Sequence, residues 1–152
     1  MTLYFAYGSN LCEALLKSRC PSAQRVGIAR IDGHRIGFTR MSARQGGGVA
    51  DLMPEAGSQA WGALFDLAES DLDSLDEYEG VPTAYCRKLR TVERPDETLA
   101  AAWVYTVTSK GLAETTPSLR YWRLIVQGAK EALLPPEYIA FLESLPHLPS
   151  LE

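Results

Sequence analysis

Apolar residues in this chain come in short runs broken by turn formers, and the period of each run predicts an element. Leu3-Tyr4-Phe5-Ala6 reads as a buried strand, and Tyr7-Gly8-Ser9-Asn10 ends it. Leu11, Ala14, Leu15 and Leu16 then follow at helical spacing as far as Cys20-Pro21. Val26 to Ile31 and Arg35 to Thr39 alternate like strands around Asp32-Gly33, a dipeptide suited to a tight hairpin turn. Met41 to Gly48 reads as a loop, Val49 to Met53 as a strand, Pro54 to Gly57 as a turn and Ala60 to Leu67 as a further strand. Ser70 with Asp73 three residues on marks a helix start, Leu72 and Leu75 form its apolar side, and Gly80 suits the position just past its end. That helix is expected to run for about two turns. Tyr85 to Val92 and Leu99 to Val107 read as a strand pair across Arg94 to Glu97, and Thr108 to Pro117 as a surface loop. Helices over Ser118 to Leu133 and Pro136 to Leu145 close the chain. About seven strands with few, short helices favour an α+β fold, with a mixed or mainly antiparallel sheet curled into a barrel, over a doubly wound parallel sheet.

Composition narrows the function. With 152 residues, 46% hydrophobic and 22% charged, the sequence reads as one folded domain over 1–152. A net charge of -4 gives no general attraction to phosphate backbones or anionic lipid, so neither nucleic acid nor a membrane is an expected partner. The opening residues lack a basic signal-like stretch, which places the protein in the cytoplasm as an expectation. Cys12, Cys20 and Cys86 are odd in number and show no CxxC spacing, which suits free thiols, and His34 and His147 stand in no ligand pattern. No metal and no cofactor are expected.

Phosphate-loop, dinucleotide, nucleophile-elbow and SxxK signatures are missing, which leaves two places with unusual chemistry. At Tyr7-Gly8-Ser9-Asn10 a strand gives way to a helix, so free N–H groups and the helix dipole would seat a carboxylate or carbonyl oxygen, with Gly8 allowing close approach. An ordinary helix cap by Ser9 or Asn10 is the plainer alternative. At Asp76-Glu77-Tyr78-Glu79-Gly80 acids crowd the C-terminal end of a helix, where the dipole, like charges and any burial raise a carboxyl pKa. A solvated acidic surface is the alternative there. Residues 77 and 79 lie about 200° apart around a helix, so Glu77 and Glu79 cannot both face one pocket.

Together these places make the sequence resemble the γ-glutamyl cyclotransferase family. Tyr4 to Leu11 is similar to that family's N-terminal signature, and Leu75 to Val81 to the segment holding its catalytic glutamate. Gly47-Gly48-Val49-Ala50, Trp61-Gly62 and Gly128-Ala129-Lys130-Glu131 with Leu134-Pro135 and Tyr138 extend the resemblance over most of the chain. The resemblance implies a small β-barrel flanked by helices. It implies Glu79 as proton acceptor and donor, and therefore as the acid facing the pocket while Glu77 faces solvent, with Tyr4, Tyr7, Gly8, Ser9 and Asn10 as a substrate cradle and Tyr85 and Tyr121 as further substrate contacts. The implied reaction turns a γ-glutamyl amino acid or amine into 5-oxoproline and a free amine, with no cofactor. The Y-G-S-N sequence favours the γ-glutamyl amino acid group over the glutathione-specific one. The implied partner is a small γ-glutamyl substrate, with a homodimer as an open option. The competing reading from another class is a non-catalytic binding or interaction module on the same barrel.

Overall fold

The computed structural model describes residues 1–149, so the last three residues of the expected 1–152 unit lie outside the described residues. In chain order the elements are β1 (Thr2–Ala6), a 3-10 turn (Ser9–Leu11), α1 (Glu13–Arg19), β2 (Gln24–Ser42), β3 (Gly47–Leu67), α2 (Glu69–Glu79), β4 (Tyr85–Glu93), β5 (Leu99–Val107), α3 (Leu119–Glu131) and α4 (Pro136–Ser144). The strands close into a barrel in the order β1-β3-β2-β4-β5. Every pairing is antiparallel except β1 with β5, which meet in parallel at Tyr4 and Trp103. The mixed, mainly antiparallel barrel with flanking helices is therefore as the sequence suggested.

Its strands are fewer and longer than expected. The segments on either side of Asp32-Gly33 do not fold back on each other but continue as the single strand β2, and the segments around Pro54 to Gly57 continue as β3. Both pairs of segments run along each other, Asp32 facing Gln59 and His34 facing Pro54, with a register shift between. The two turn signals thus lie opposite one another in one irregularity of a long ribbon. A local turn preference can be met by a bulge as well as by a reversal, and pairing with a long neighbour satisfied more backbone groups. The expected loop Met41 to Gly48 also shrinks, because β2 reaches Ser42 and β3 starts at Gly47.

Phe5, Leu64, Phe65, Val92 and Val104 on the strands and Leu16, Leu75, Ile125 and Leu142 on the helices are fully buried and form one core on the two faces of the barrel wall. The α2 helix buries Leu72 and Leu75 as its period requires, but it starts at Glu69 and runs 11 residues, longer than the two turns expected. Its start comes from elsewhere in the chain: the Ala68 N–H donates to Ser22 Oγ at 2.9 Å, and Ser22 N–H donates to Asp71 Oδ2 at 2.9 Å. Ser70 provides no side-chain cap. At the other end Gly80 adopts φ +77°, a left-handed conformation that closes the helix without a Cβ penalty and leaves Glu79 as its last residue. The β4–β5 hairpin and the starts of α3 and α4 agree with the sequence. Ser118 caps α3 by accepting from Tyr121 N–H at 3.1 Å. Among the described residues, no helix is long and apolar enough to cross a membrane. Cys12, Cys20 and Cys86 are free thiols.

Candidate active site

The expected site residues come from five separate elements and meet at one end of the barrel. Tyr4, Tyr7, Gly8, Ser9, Asn10, Glu79, Tyr85 and Tyr121, with Ala50 and Tyr105, line a narrow niche of about 40 Å³. The niche shares Ser9, Glu79, Tyr85 and Tyr121 with a wider cleft of about 420 Å³. Glu79 therefore stands where the two spaces join. Glu77 is exposed, as expected, but it also lines the wider cleft.

Glu79 is held from one side only. Asn10 Nδ2 donates to Glu79 Oε1 at 3.3 Å and to the Tyr4 hydroxyl at 3.0 Å, while Asn10 Oδ1 accepts from Arg19 Nη1 at 2.8 Å. Because the guanidinium can only donate, it fixes which end of the Asn10 amide faces Glu79. Arg19 is itself anchored on Tyr78, bonding its hydroxyl and lying 3.4 Å from the ring centroid. Burial pushes the Glu79 carboxyl above its usual range, against the opposing influence of Arg19, Asn10 and Arg44. Burial, which the sequence argument named beside the dipole and like charges, is the raising cause, and no neighbouring acid contributes. The nearby Asp76 shows the contrast: burial would raise it, but hydrogen bonds from Arg87 and Tyr105 hold it below the ordinary carboxylate range. Arg87 donates to both Asp76 oxygens at 2.7 and 2.9 Å, and Tyr105 Oη donates at 2.6 Å. These two carboxyls of α2 are therefore pushed in opposite directions, Asp76 toward its anion and Glu79 toward its neutral form.

The tyrosine hydroxyls divide into two kinds. Tyr7 Oη donates to the Tyr105 carbonyl at 2.6 Å and Tyr85 Oη to the Ala50 carbonyl at 2.7 Å, so each has spent its proton and presents lone pairs. Tyr121 Oη instead accepts from Ala50 N–H at 3.0 Å, and Tyr4 Oη accepts from Asn10, so each keeps a proton to donate. Burial raises all four, Tyr121 to about 12, so they act as neutral hydroxyls. Two acceptors, two donors and one carboxyl thus surround a space sized for a small polar group.

The Tyr7 to Asn10 loop differs from expectation in one respect. It opens into a 3-10 turn that uses the N–H groups of Leu11 and Cys12, and α1 begins only at Glu13, so the loop is not itself the N-terminus of an α-helix. The loop's backbone N–H groups remain available, but Ser9 and Asn10 are not side-chain caps. Gly8 matters through close packing: a Cβ there would lie 3.0 Å from Ala50 Cβ and 3.7 Å from Tyr121 Oη. The sequence reading did not single out Arg19, Asp51 or Tyr105. Their roles depend on contacts with residues 9 to 98 positions away, and only the Tyr105 aromatic in a strand pattern gave any local signal.

Asp51 anchors the strand that carries Ala50. It is fully buried and accepts from Thr39 Oγ1 at 2.9 Å, Leu52 N–H at 2.9 Å and Val107 N–H at 3.0 Å, with Lys110 alongside. The Ala50 peptide that orients Tyr85 and Tyr121 is therefore tied to β2, β5 and the following loop.

Residues 59–142 match the AIG2-like family. A mouse protein called gamma-glutamylcyclotransferase is 35% identical, covering 94% of this chain and 78% of that protein. The human protein of the same name is 34% identical with the same coverage. A solved structure called gamma-glutamyl cyclotransferase superposes with a TM-score of 0.93 at 31% identity, covering 99% of this chain and 91% of that one. YkqA from Bacillus subtilis superposes with a TM-score of 0.78 at 27% identity over 97% of this chain and 56% of its own.

Proposed function

This chain belongs to the γ-glutamyl cyclotransferases, which are enzymes, and on that premise we propose that it cyclises a γ-glutamyl amino acid or amine to 5-oxoproline with Glu79 as general acid and base. The observation that carries the assignment is Glu79 itself, a carboxyl raised by burial where the polar niche joins the wider cleft. The niche takes the glutamyl half. Its α-ammonium fits the spent hydroxyls of Tyr7 and Tyr85, which can only accept, and its oxygens fit the protons of Tyr4 and Tyr121 and the N–H groups of the Tyr7 to Asn10 loop.

The reaction needs one proton carrier. The substrate's α-nitrogen loses a proton to Glu79, attacks its own side-chain amide carbon, and the new C–N bond closes the ring. The tetrahedral oxyanion is met by neutral donors already in place. Glu79 then protonates the departing nitrogen as the old C–N bond breaks. The two protons lost from the α-ammonium match the two gained by the amine, which leaves as an ammonium ion. A raised carboxyl pKa lies closer to that of the amine and makes the first transfer, from ammonium to carboxylate, less uphill. A module that only binds a carboxylate ligand would gain nothing from a buried acid beside it.

The test is direct measurement of 5-oxoproline from γ-glutamylalanine and related compounds. Glu79→Gln keeps the side-chain shape and an acceptor for Asn10, and should lower kcat by about 10²-fold or more. Glu77→Gln, on the exposed face, should leave kcat within about twofold. Undiminished turnover by Glu79→Gln would refute the assignment.

A further inference from the structure

We infer that Arg19 is a positioning residue for the reaction: by holding the Asn10 carboxamide in one of its two orientations, it keeps Glu79 available as a base and the Tyr4 hydroxyl available as a donor to substrate. The inference rests on the cyclotransferase reading above and extends it to a residue of α1 that itself transfers no proton.

A carboxamide turns end for end about its last torsion with little change of shape, yet one end only accepts and the other only donates. Asn10 is 4% exposed and stands between Arg19, Tyr4 and Glu79. Its Nδ2 donates to Glu79 and to the Tyr4 hydroxyl, and its Oδ1 accepts from Arg19. Turned over, Oδ1 would face Glu79 and Tyr4 instead. A carboxylate cannot pair with that oxygen, but a protonated Glu79 can donate to it, and the Tyr4 hydroxyl would spend its proton there. The reversed amide thus favours the neutral acid and withdraws one donor from the niche. The Arg19 guanidinium excludes it, because it has no acceptor to offer Nδ2.

Arg19 is held from both sides. It is the last residue of α1, and the segment that follows is tied to α2 by the Ser22 N–H bond to Asp71 Oδ2 at 2.9 Å. Its guanidinium bonds the Tyr78 hydroxyl and lies 3.4 Å from that ring's centroid, and Arg44, from the loop between β2 and β3, lies 4.2 Å from the same centroid. Tyr78 immediately precedes Glu79, so the group that anchors Arg19 and the group it serves share one turn of α2. Around Glu79, Arg19 and to a lesser degree Arg44 are the cations that oppose burial, and no neighbouring acid contributes. Burial pushes Tyr4, Tyr7, Tyr85, Tyr121 and Cys20 toward their neutral forms, so among these groups Glu79 is the one whose charge changes in the acid range.

Arg19→Gln puts in place of a donor-only group one that pairs with either end of Asn10, whereas Arg19→Lys keeps both the charge and the donor-only character. The two are compared with wild type through the pH profile of kcat/KM on γ-glutamylalanine. Arg19→Gln should move the acidic limb to higher pH, lowering kcat/KM by about tenfold or more at pH 5 and by less at pH 8, and Arg19→Lys should restore most of the limb. Made in the Asn10→Ala background, Arg19→Gln should cost no more than about threefold, since no carboxamide is left to turn over. A loss equal at all pH values would mark a merely structural role, and an undiminished cost in Asn10→Ala would mean that Arg19 acts by charge alone. Either result overturns the inference and leaves the cyclotransferase reading intact. Should Arg19→Gln fail to fold, Tyr78→Phe, which removes only the hydroxyl that anchors Arg19, decides by the same shift, with an unmoved limb counting against the inference. Release of no 5-oxoproline from γ-glutamylalanine by wild type would instead sink that reading, and this one with it.

Discussion

Replacing Asp51 separates two consequences of one buried carboxylate, the stability of the barrel and the alignment of the site. Asp51→Ala removes the acceptor for Leu52 N–H, Val107 N–H and the Thr39 hydroxyl, all on buried residues. Unsatisfied buried donors cost roughly 1 to 3 kcal/mol each, and breaking a buried ionic cluster costs about 3 to 5 kcal/mol in all. Asp51→Asn is a milder change. Its oxygen still serves Leu52 and Val107, the Thr39 hydroxyl can rotate to accept, and Lys110, with its side chain 49% exposed, can withdraw into solvent. What remains is the loss of charge-assisted bonding, about 1.5 to 3 kcal/mol. At about 2 to 4 °C per kcal/mol for a chain of this size, Asp51→Asn should melt roughly 3 to 12 °C below wild type and Asp51→Ala roughly 6 to 20 °C below it. Thermal unfolding followed by tryptophan fluorescence at neutral pH gives the comparison. The folded Asp51→Asn protein, measured well below its melting point, should also show reduced kcat, because the Ala50 peptide holds the hydroxyls of Tyr85 and Tyr121. If Asp51→Asn melted within about 1 °C of wild type, or Asp51→Ala cost no more than Asp51→Asn, the anchoring argument would be wrong.

Because burial raises Glu79 above its ordinary value of 4.5, the acidic limb of the pH profile of kcat/KM should lie above pH 4.5, and the residual activity of Glu79→Gln should lack that limb. The sign for stability is the reverse of a salt-bridged acid: a raised folded-state pKa contributes stability that is complete below 4.5 and lost as pH rises through the folded value. Glu79→Gln should therefore melt above wild type at pH 8, with the difference closing near pH 4, and a lower melting point at pH 8 would contradict burial as the cause. Gly8→Val places branched bulk against Ala50 and Tyr121, so KM for γ-glutamylalanine should rise about tenfold or more, while unchanged kinetics would show that the close approach of Gly8 is unimportant.

Local patterning was enough to set which face of α2 is buried. The apolar pair Leu72 and Leu75 sets which face of α2 is buried, Gly80 ends the helix, and the angular offset between residues 77 and 79 then sends Glu79 inward and Glu77 outward. The β4–β5 hairpin was equally legible, since its strands and turn are contiguous and need no distant partner. The resemblance brought Tyr4, Tyr7, Tyr85 and Tyr121 into the reading, although nothing local distinguishes a site tyrosine from a core one. Only the tertiary structure decided that Asp32-Gly33 and Pro54 to Gly57 would be spent on a bulge in one ribbon, that Ser22 rather than Ser70 would support the start of α2, and that Arg19 would orient Asn10 toward Glu79. It also decided which hydroxyls donate, which accept, and that burial rather than neighbouring acids raises Glu79. The reason is physical. Periodicity and turn chemistry act over a few residues and fix which side chains share a face, whereas strand partners, desolvation and the direction of a hydrogen bond depend on groups that meet only when distant segments pack together.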